Sequence, residues 1–206
     1  MNNIKVFFNL QHLLITTTAP ADTSLYPTII ASEEDVFNFR MKPRQLYDEK
    51  FAHNILLITA AVEETLESLF DYAQPVIAAG GIIRNEKQET LIIFRRGYWD
   101  MPKGKVDKGE KIINAAQREV WEETGVEIDT VQDEATLTYH CYKLKGKDSI
   151  KETHWFPMNA RAGQTHLKPQ AAEGIEQAIW ANDNDIRVQE TKFYPMIWHL
   201  LENKLK

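Results

Sequence analysis

Between Gly97 and Gly125 the sequence leaves a loop rich in glycine, proline and lysine and enters one helical segment, Glu110–Thr124, with Gly125 in the C-cap position. That junction constrains the fold most, because it follows two short apolar runs, Val76–Arg84 and Thr90–Arg96, which Asn85–Glu89 joins as a hairpin. Strand-like runs come after it at Thr136–Leu144, Lys151–Met158 and Gly174–Trp180, then a terminal helix over Thr191–Lys206 with Pro195 in or near its first turn. This order predicts an α+β or α/β sandwich, a mixed sheet with helices on its faces. Before Pro75 the pattern differs. A strand is expected over Ile4–Thr17, then a loop with Pro20 and Pro27, a short segment near Ser32–Met41, and an apolar run, His53–Val62. That run leads into Glu63–Tyr72, where Val62, Leu66, Leu69 and Phe70 have helical spacing, so strand should give way to helix near Thr59. The chain therefore reads as a small N-terminal α/β segment, 1–73, of unknown role, and a larger domain, 74–206.

Composition narrows the classes of function. With 206 residues, 43% hydrophobic and 26% charged, the chain is globular in character. A chain of this size buries roughly 70% of its unfolded surface. No apolar run approaches the length of a transmembrane helix, so no membrane partner is expected. The single cysteine, Cys141, excludes an internal disulfide framework and a multi-cysteine zinc site. Val6–Ile15 is apolar-leaning, but Asn9, Gln11 and His12 interrupt it, so it reads as a strand rather than a signal segment and a cytoplasmic protein is expected. Twenty-four Lys and Arg against 30 Asp and Glu leave a net charge of −6, which argues against non-specific binding of long nucleic acids. Five basic and ten acidic residues put −5 of that on residues 1–73 and only −1 on the rest.

The helix holds the chemistry. Glu119, Glu122 and Glu123 stand at i, i+3 and i+4, so their carboxylates share one face spanning roughly 100° of arc. Ile113, Ala116 and Val120 form the adjacent apolar stripe, which puts the acids at the edge of the core. Like charges at this spacing repel unless a cation sits among them. A hard divalent ion with oxygen ligands resolves the repulsion. Trp121, projecting opposite the glutamates, and Trp198 are expected to pack against neighbouring elements.

The whole segment reads Gly104-x5-Glu110-x7-Arg118-Glu119-Val120-x-Glu122-Glu123-x-Gly125-Val126. It resembles, without a departure, the signature of the Nudix hydrolases. Gly80-Gly81, Leu91–Arg96, Trp99-Asp100-Met101-Pro102-Lys103-Gly104 and Lys151–Phe156 extend the resemblance over roughly 74–206. The resemblance implies an α/β/α sandwich and Mg²⁺- or Mn²⁺-dependent hydrolysis of a nucleoside diphosphate linked to another group. It further implies Glu119, Glu122 and Glu123 as carboxylate ligands with the Gly104 carbonyl, Arg118 orienting them, and Glu110 behind them. Glu119 is the expected general base, with Glu173 or Glu176, in the loop before Trp180, as alternatives.

The loop before the helix is basic. Residues 95–111 hold six cationic side chains against three acids, suited to a phosphate chain. Lys103 in Pro-Lys-Gly resembles the diadenosine and diphosphoinositol polyphosphate branch of the family. Arg95 is an expected phosphate contact as one of those cations; on the resemblance Lys103 and Lys151 are expected phosphate contacts and Tyr142 a base contact. The partner expected is a small nucleotide or polyphosphate. A nucleotide-sensing role is the alternative, although such proteins often lose glutamates that are all present here; ADP-ribose and nucleoside triphosphates are alternative substrates. The apolar strands of 1–73 suggest packing on the larger domain or in a homodimer.

Overall fold

The computed structural model describes residues 3–202, 204 and 205. The strands and helices, in chain order, are β1 Asn3–Phe8, β2 Gln11–Thr16, β3 Thr28–Ile30, α1 Glu33–Met41, β4 Ile55–Ile58, α2 Val62–Tyr72, β5 Gln74–Arg84 and β6 Thr90–Arg95. They continue as β7 Tyr98–Asp100, β8 Lys103–Lys105, α3 Ile112–Thr124, β9 Ile128–Val131, β10 Thr136–Leu144, β11 Lys147–Ala160, β12 Ile175–Ala181, α4 Asp183–Val188 and α5 Pro195–Glu202. None of the described helices is long and apolar enough to cross a membrane. The chain forms two compact units, 1–76 with 139–152, and 77–138 with 153–206.

In the first unit the strands run β10-β1-β2-β4-β3. The single strand expected over Ile4–Thr17 is a hairpin instead, because Asn9 takes a left-handed conformation, φ 50°, and reverses the chain so that Val6 pairs Leu13. Asparagine tolerates that conformation better than most side chains, which is how two apolar runs turn without a glycine. β4, Ile-Leu-Leu-Ile, lies parallel to both β2 and β3, and such strands read as unbroken apolar runs. Ser32 starts α1 by accepting the Asp35 N–H on its hydroxyl at 3.1 Å. β1 pairs in parallel with β10, Val6 opposite Tyr139 and Phe8 opposite Cys141, so residues far along the chain complete this unit.

In the second unit the order is β12-β6-β5-β11, with β7 on β6, β8 on β5 and β9 on β11. Adjacent residues on a strand face opposite ways, and the apolar pairs sort accordingly. Ile83, Leu91 and Phe156 join Ala115, Ala116 and Val120 of α3 on one face. Ile82, Ile92 and Trp155 join Ile186, Ile197, Leu200 and Leu201 of α4 and α5 on the other. The unit is a helix–sheet–helix sandwich; the parallel pairs β1–β10, β2–β4 and β3–β4, those of the first unit, make the sheet mixed. Trp198 packs partly buried against the second cluster as expected, but Trp121 does not find a neighbouring element: it is 59% exposed.

Candidate active site

The site assembles where β8 meets α3. α3 begins at Ile112, two residues after the expected start, and ends at Gly125, whose φ of 73° is the left-handed C-cap that favours glycine. Gly104 has a different reason. A Cβ at that position would lie 2.0 Å from Glu119 Oε2, so a hydrogen is all that the approach of the carboxylate to the β8 backbone allows.

Arg118 gathers the carboxylates. Its Nε and Nη2 donate to the two oxygens of Glu110 at 2.9 and 2.8 Å, a bidentate pair. Its Nη1 donates to Glu119 Oε1 at 2.8 Å and to Glu122 Oε2 at 3.1 Å, and Nη2 also reaches the Lys105 carbonyl at 3.1 Å. One guanidinium thus ties β8 and Glu110, two residues before α3, to two acids of the helix. The Arg118 bonds, together with the Asp107 N–H, hold the Glu110 carboxyl down at about 2. Burial pushes Glu119 up; Arg118 opposes this, while Glu122 and Glu173 add to it.

Glu123 is held differently. It is almost wholly buried, its Oε2 accepts the Lys103 N–H at 2.8 Å, and its Oε1 lies 3.6 Å from Arg95 Nη1. Burial pushes this carboxyl up to about 7 against the pull of Lys103 and Arg95. Beside it lies a buried ion cluster. Asp100 Oδ2 accepts from Lys103 Nζ at 2.6 Å and lies 3.2 Å from Arg95 Nε, while Oδ1 accepts the Met101 N–H at 2.7 Å. Arg95 Nε, though ion-paired with Asp100, is a buried donor without a hydrogen-bond partner. Burial would raise Asp100, but Lys103 and Arg95 outweigh it and hold the carboxyl below its usual value.

The other expected contacts fall in several places. Lys103 is buried, its ammonium on Asp100 and 5.9 Å from the centre of the Trp155 ring. Tyr142 and Lys151 belong to the first unit, where the Lys151 ammonium stands 5.2 Å over the Tyr142 ring and that ring stacks on His140. Glu173 ends a single exposed turn, Ala171–Glu173, near enough for its charge to bear on Glu119. Glu176 is exposed on β12. Asp100 belongs to the run Trp99–Gly104 that resembles the family, and nothing in that resemblance gives it a part in the site. Its signal was an acid and a base three apart among Trp99, Met101 and Pro102, a context that favours a buried pair.

The donor set fits a hard cation. Two carboxylate oxygens, from Glu119 and Glu122, converge on one Arg118 nitrogen, and the close approach at Gly104 brings backbone against Glu119. Among the described residues no three His, Cys, Asp or Glu side chains converge as a ready cluster, and Glu123 is engaged by the Lys103 N–H and Arg95. The model of the NUDIX domain matches residues 74–202. The chain belongs to the NUDIX family. Nudix hydrolase 7 of Arabidopsis thaliana is 31% identical over 133 residues, 61% of this chain and 45% of that protein. An RNA pyrophosphohydrolase of Pelagibacter ubique is 29% identical over 136 residues, 60% of this chain and 75% of that one. The m7GpppN-mRNA hydrolase dcap-2 of Caenorhabditis elegans is 28% identical over 201 residues, 94% of this chain and 24% of that protein. The chain therefore spans less than half the length of two of these three relatives.

Proposed function

We propose that this NUDIX protein hydrolyses a pyrophosphate bond in a nucleoside diphosphate linked to another group, with a dinucleoside polyphosphate or related nucleotide as substrate. The observation that carries the reading is the convergence of Glu119 and Glu122 on Arg118 beside Gly104, with Glu110 as the far anchor. Glu119, Glu122 and the Gly104 carbonyl would hold Mg²⁺ or Mn²⁺, with Glu123 alongside. Such an ion neutralises charge on phosphoryl oxygens and lowers the pKa of a bound water.

The chain's own residues do the rest. Arg118 fixes the carboxylates. Glu119, raised by burial yet hydrogen-bonded to Arg118, is the first candidate for the proton acceptor, and Glu173 is the second. Arg95, paired with Asp100 and Glu123 but more exposed than Lys103, is the cation nearer to solvent for phosphate, because Lys103 is buried on Asp100. The names of two relatives favour a second reading, in which the nucleotide is the 5′ end of an RNA. The test is turnover by the purified protein with Mg²⁺ or Mn²⁺ of dinucleoside polyphosphates, ADP-ribose, nucleoside triphosphates, and capped or 5′-triphosphate RNA oligonucleotides. Turnover is expected in the first group; turnover confined to RNA selects the second reading, and none at all overturns both.

A further inference from the structure

The β6–β7 ribbon places an aromatic pair next to the ion cluster. Its two turn residues, Arg96 at φ 53° and Gly97 at φ 83°, are both left-handed, the geometry of a tight hairpin. The register sets Tyr98 directly opposite Arg95, and Asp100 opposite Ile93. Directly opposed residues share a face, as do alternate residues on one strand, so Tyr98, Arg95 and Asp100 all lie on one side of the ribbon. That is the side where Arg95 approaches Glu123. The ring of Tyr98 stacks on that of Tyr194, with centroids 4.6 Å apart and planes 28° apart.

The two rings are not equivalent. Tyr194 packs against the cluster of Trp99, Phe193 and Ile197, and its N–H donates to the Trp99 carbonyl at 3.4 Å. Tyr98 lies outside that cluster, partly exposed, between exposed Gly97 and buried Trp99. The anchored ring thus backs the outer one. Arg95, Arg96 and Asp100 are near enough for their charges to bear on the Tyr194 phenol. On its other side Arg95 is opposed by Ile175 of β12, just past the turn that carries Glu173. A stacked π-face with Arg95 directly opposite it on the ribbon matches a planar ring joined to phosphate, the combination that binds nucleotides by stacking and charge.

We propose that the Tyr98–Tyr194 pair is the nucleobase platform of this site, the base lying on the outer face of Tyr98 and its phosphates reaching past Arg95 toward Glu119 and Glu122. The inference rests on the proposed hydrolysis of nucleotides and assigns their base a place.

Calorimetric titration with two non-hydrolysable probes in Mg²⁺ tests it: α,β-methylene-ADP, which carries a base, and methylenediphosphonate, which does not. In Tyr98→Ala the first should bind about tenfold or more weakly, the loss that removing one base–aromatic stack brings. The second should stay within about twofold of the wild-type value. Tyr98→Leu keeps apolar bulk over Tyr194 without a π-face and should behave like Tyr98→Ala, which guards against a variant that fails to fold. Tyr98→Trp should bind both probes as the wild type does. Equal weakening of both probes, no weakening of either, or no wild-type binding of the base-carrying probe overturns the platform. A wild type that turns over no nucleotide overturns the proposed hydrolysis instead; turnover with Tyr98→Ala unchanged overturns the platform alone.

Discussion

Gly104 is fixed by the Glu119 carboxylate across the fold, not by a turn of its own. The obstructing atoms are the far end of a flexible side chain, so Gly104→Ala should displace that carboxylate at little cost to the fold. The expected result is a loss of kcat of at least about a hundredfold with the melting temperature nearly unchanged; equal loss of both would place the effect in folding. Cys141 is legible in sequence as a lone thiol, but not its state. It is buried opposite Phe8, and burial pushes its thiol up to about 12. At pH 8 about one thiol in 10⁴ is then ionised, so a disulfide reagent should leave the native protein unlabelled and label it fully in denaturant. Rapid labelling of the folded chain would show that β10 opens. The three glutamates were readable because their spacing is local; that Glu123 turns away from Glu119 and Glu122 to meet Lys103 depends on a strand 20 residues earlier.

At the scale of elements, α3 was legible from both ends, in the carboxylate spacing and in Gly125, and the β5–β6 hairpin from its turn. β7 and β8 were hidden in what reads as loop, because three-residue strands with Gly, Pro and Lys around them carry no periodicity. Their effect is large, since they seat Asp100, Lys103 and Tyr98. Lys103 is drawn inward by Asp100, and removing one member of a buried pair leaves the other uncompensated. Asp100→Asn should therefore lower stability by about 3 kcal/mol, read from the urea midpoint. Adding Lys103→Met, which removes the stranded charge, should recover part of the loss. The pH dependence has a definite sign. The native carboxyl lies below the usual carboxylate value, so its contribution is present above a pH of about 4 and is lost as pH falls toward the native value. Asp100→Asn should flatten the acid limb of the stability curve below about pH 4; an unchanged limb would assign acid unfolding to other groups.

For the molecule as a whole, the break in composition near Pro75 marks where the NUDIX match begins, yet the compact units divide the chain otherwise, giving residues 139–152 to the N-terminal unit. No local signal announces this, because β10 alternates like any half-buried strand and nothing in its sequence names the strand it will pair with. The partner is β1, more than a hundred residues earlier, with Val6, Phe7 and Phe8 opposite Tyr139, His140 and Cys141. A fragment of residues 74–206 would lack β1, β2 and β4, and with them Phe8, Leu13 and Leu56 of the first unit's core. Tyr139, Cys141 and Ile150, buried in the complete chain, would lose that cover, and β10 would present an unpaired edge. The fragment should therefore melt lower than the full chain and self-associate on size exclusion, although it carries every glutamate of the site. Hydrogen exchange gives the local readout: the amides of Tyr139 to Cys141 should be protected in the full chain and exchange fast in the fragment. A monomeric fragment with full-length melting and protection would show that residues 74–206 fold on their own, and that the N-terminal strands are an addition rather than a part of the structure.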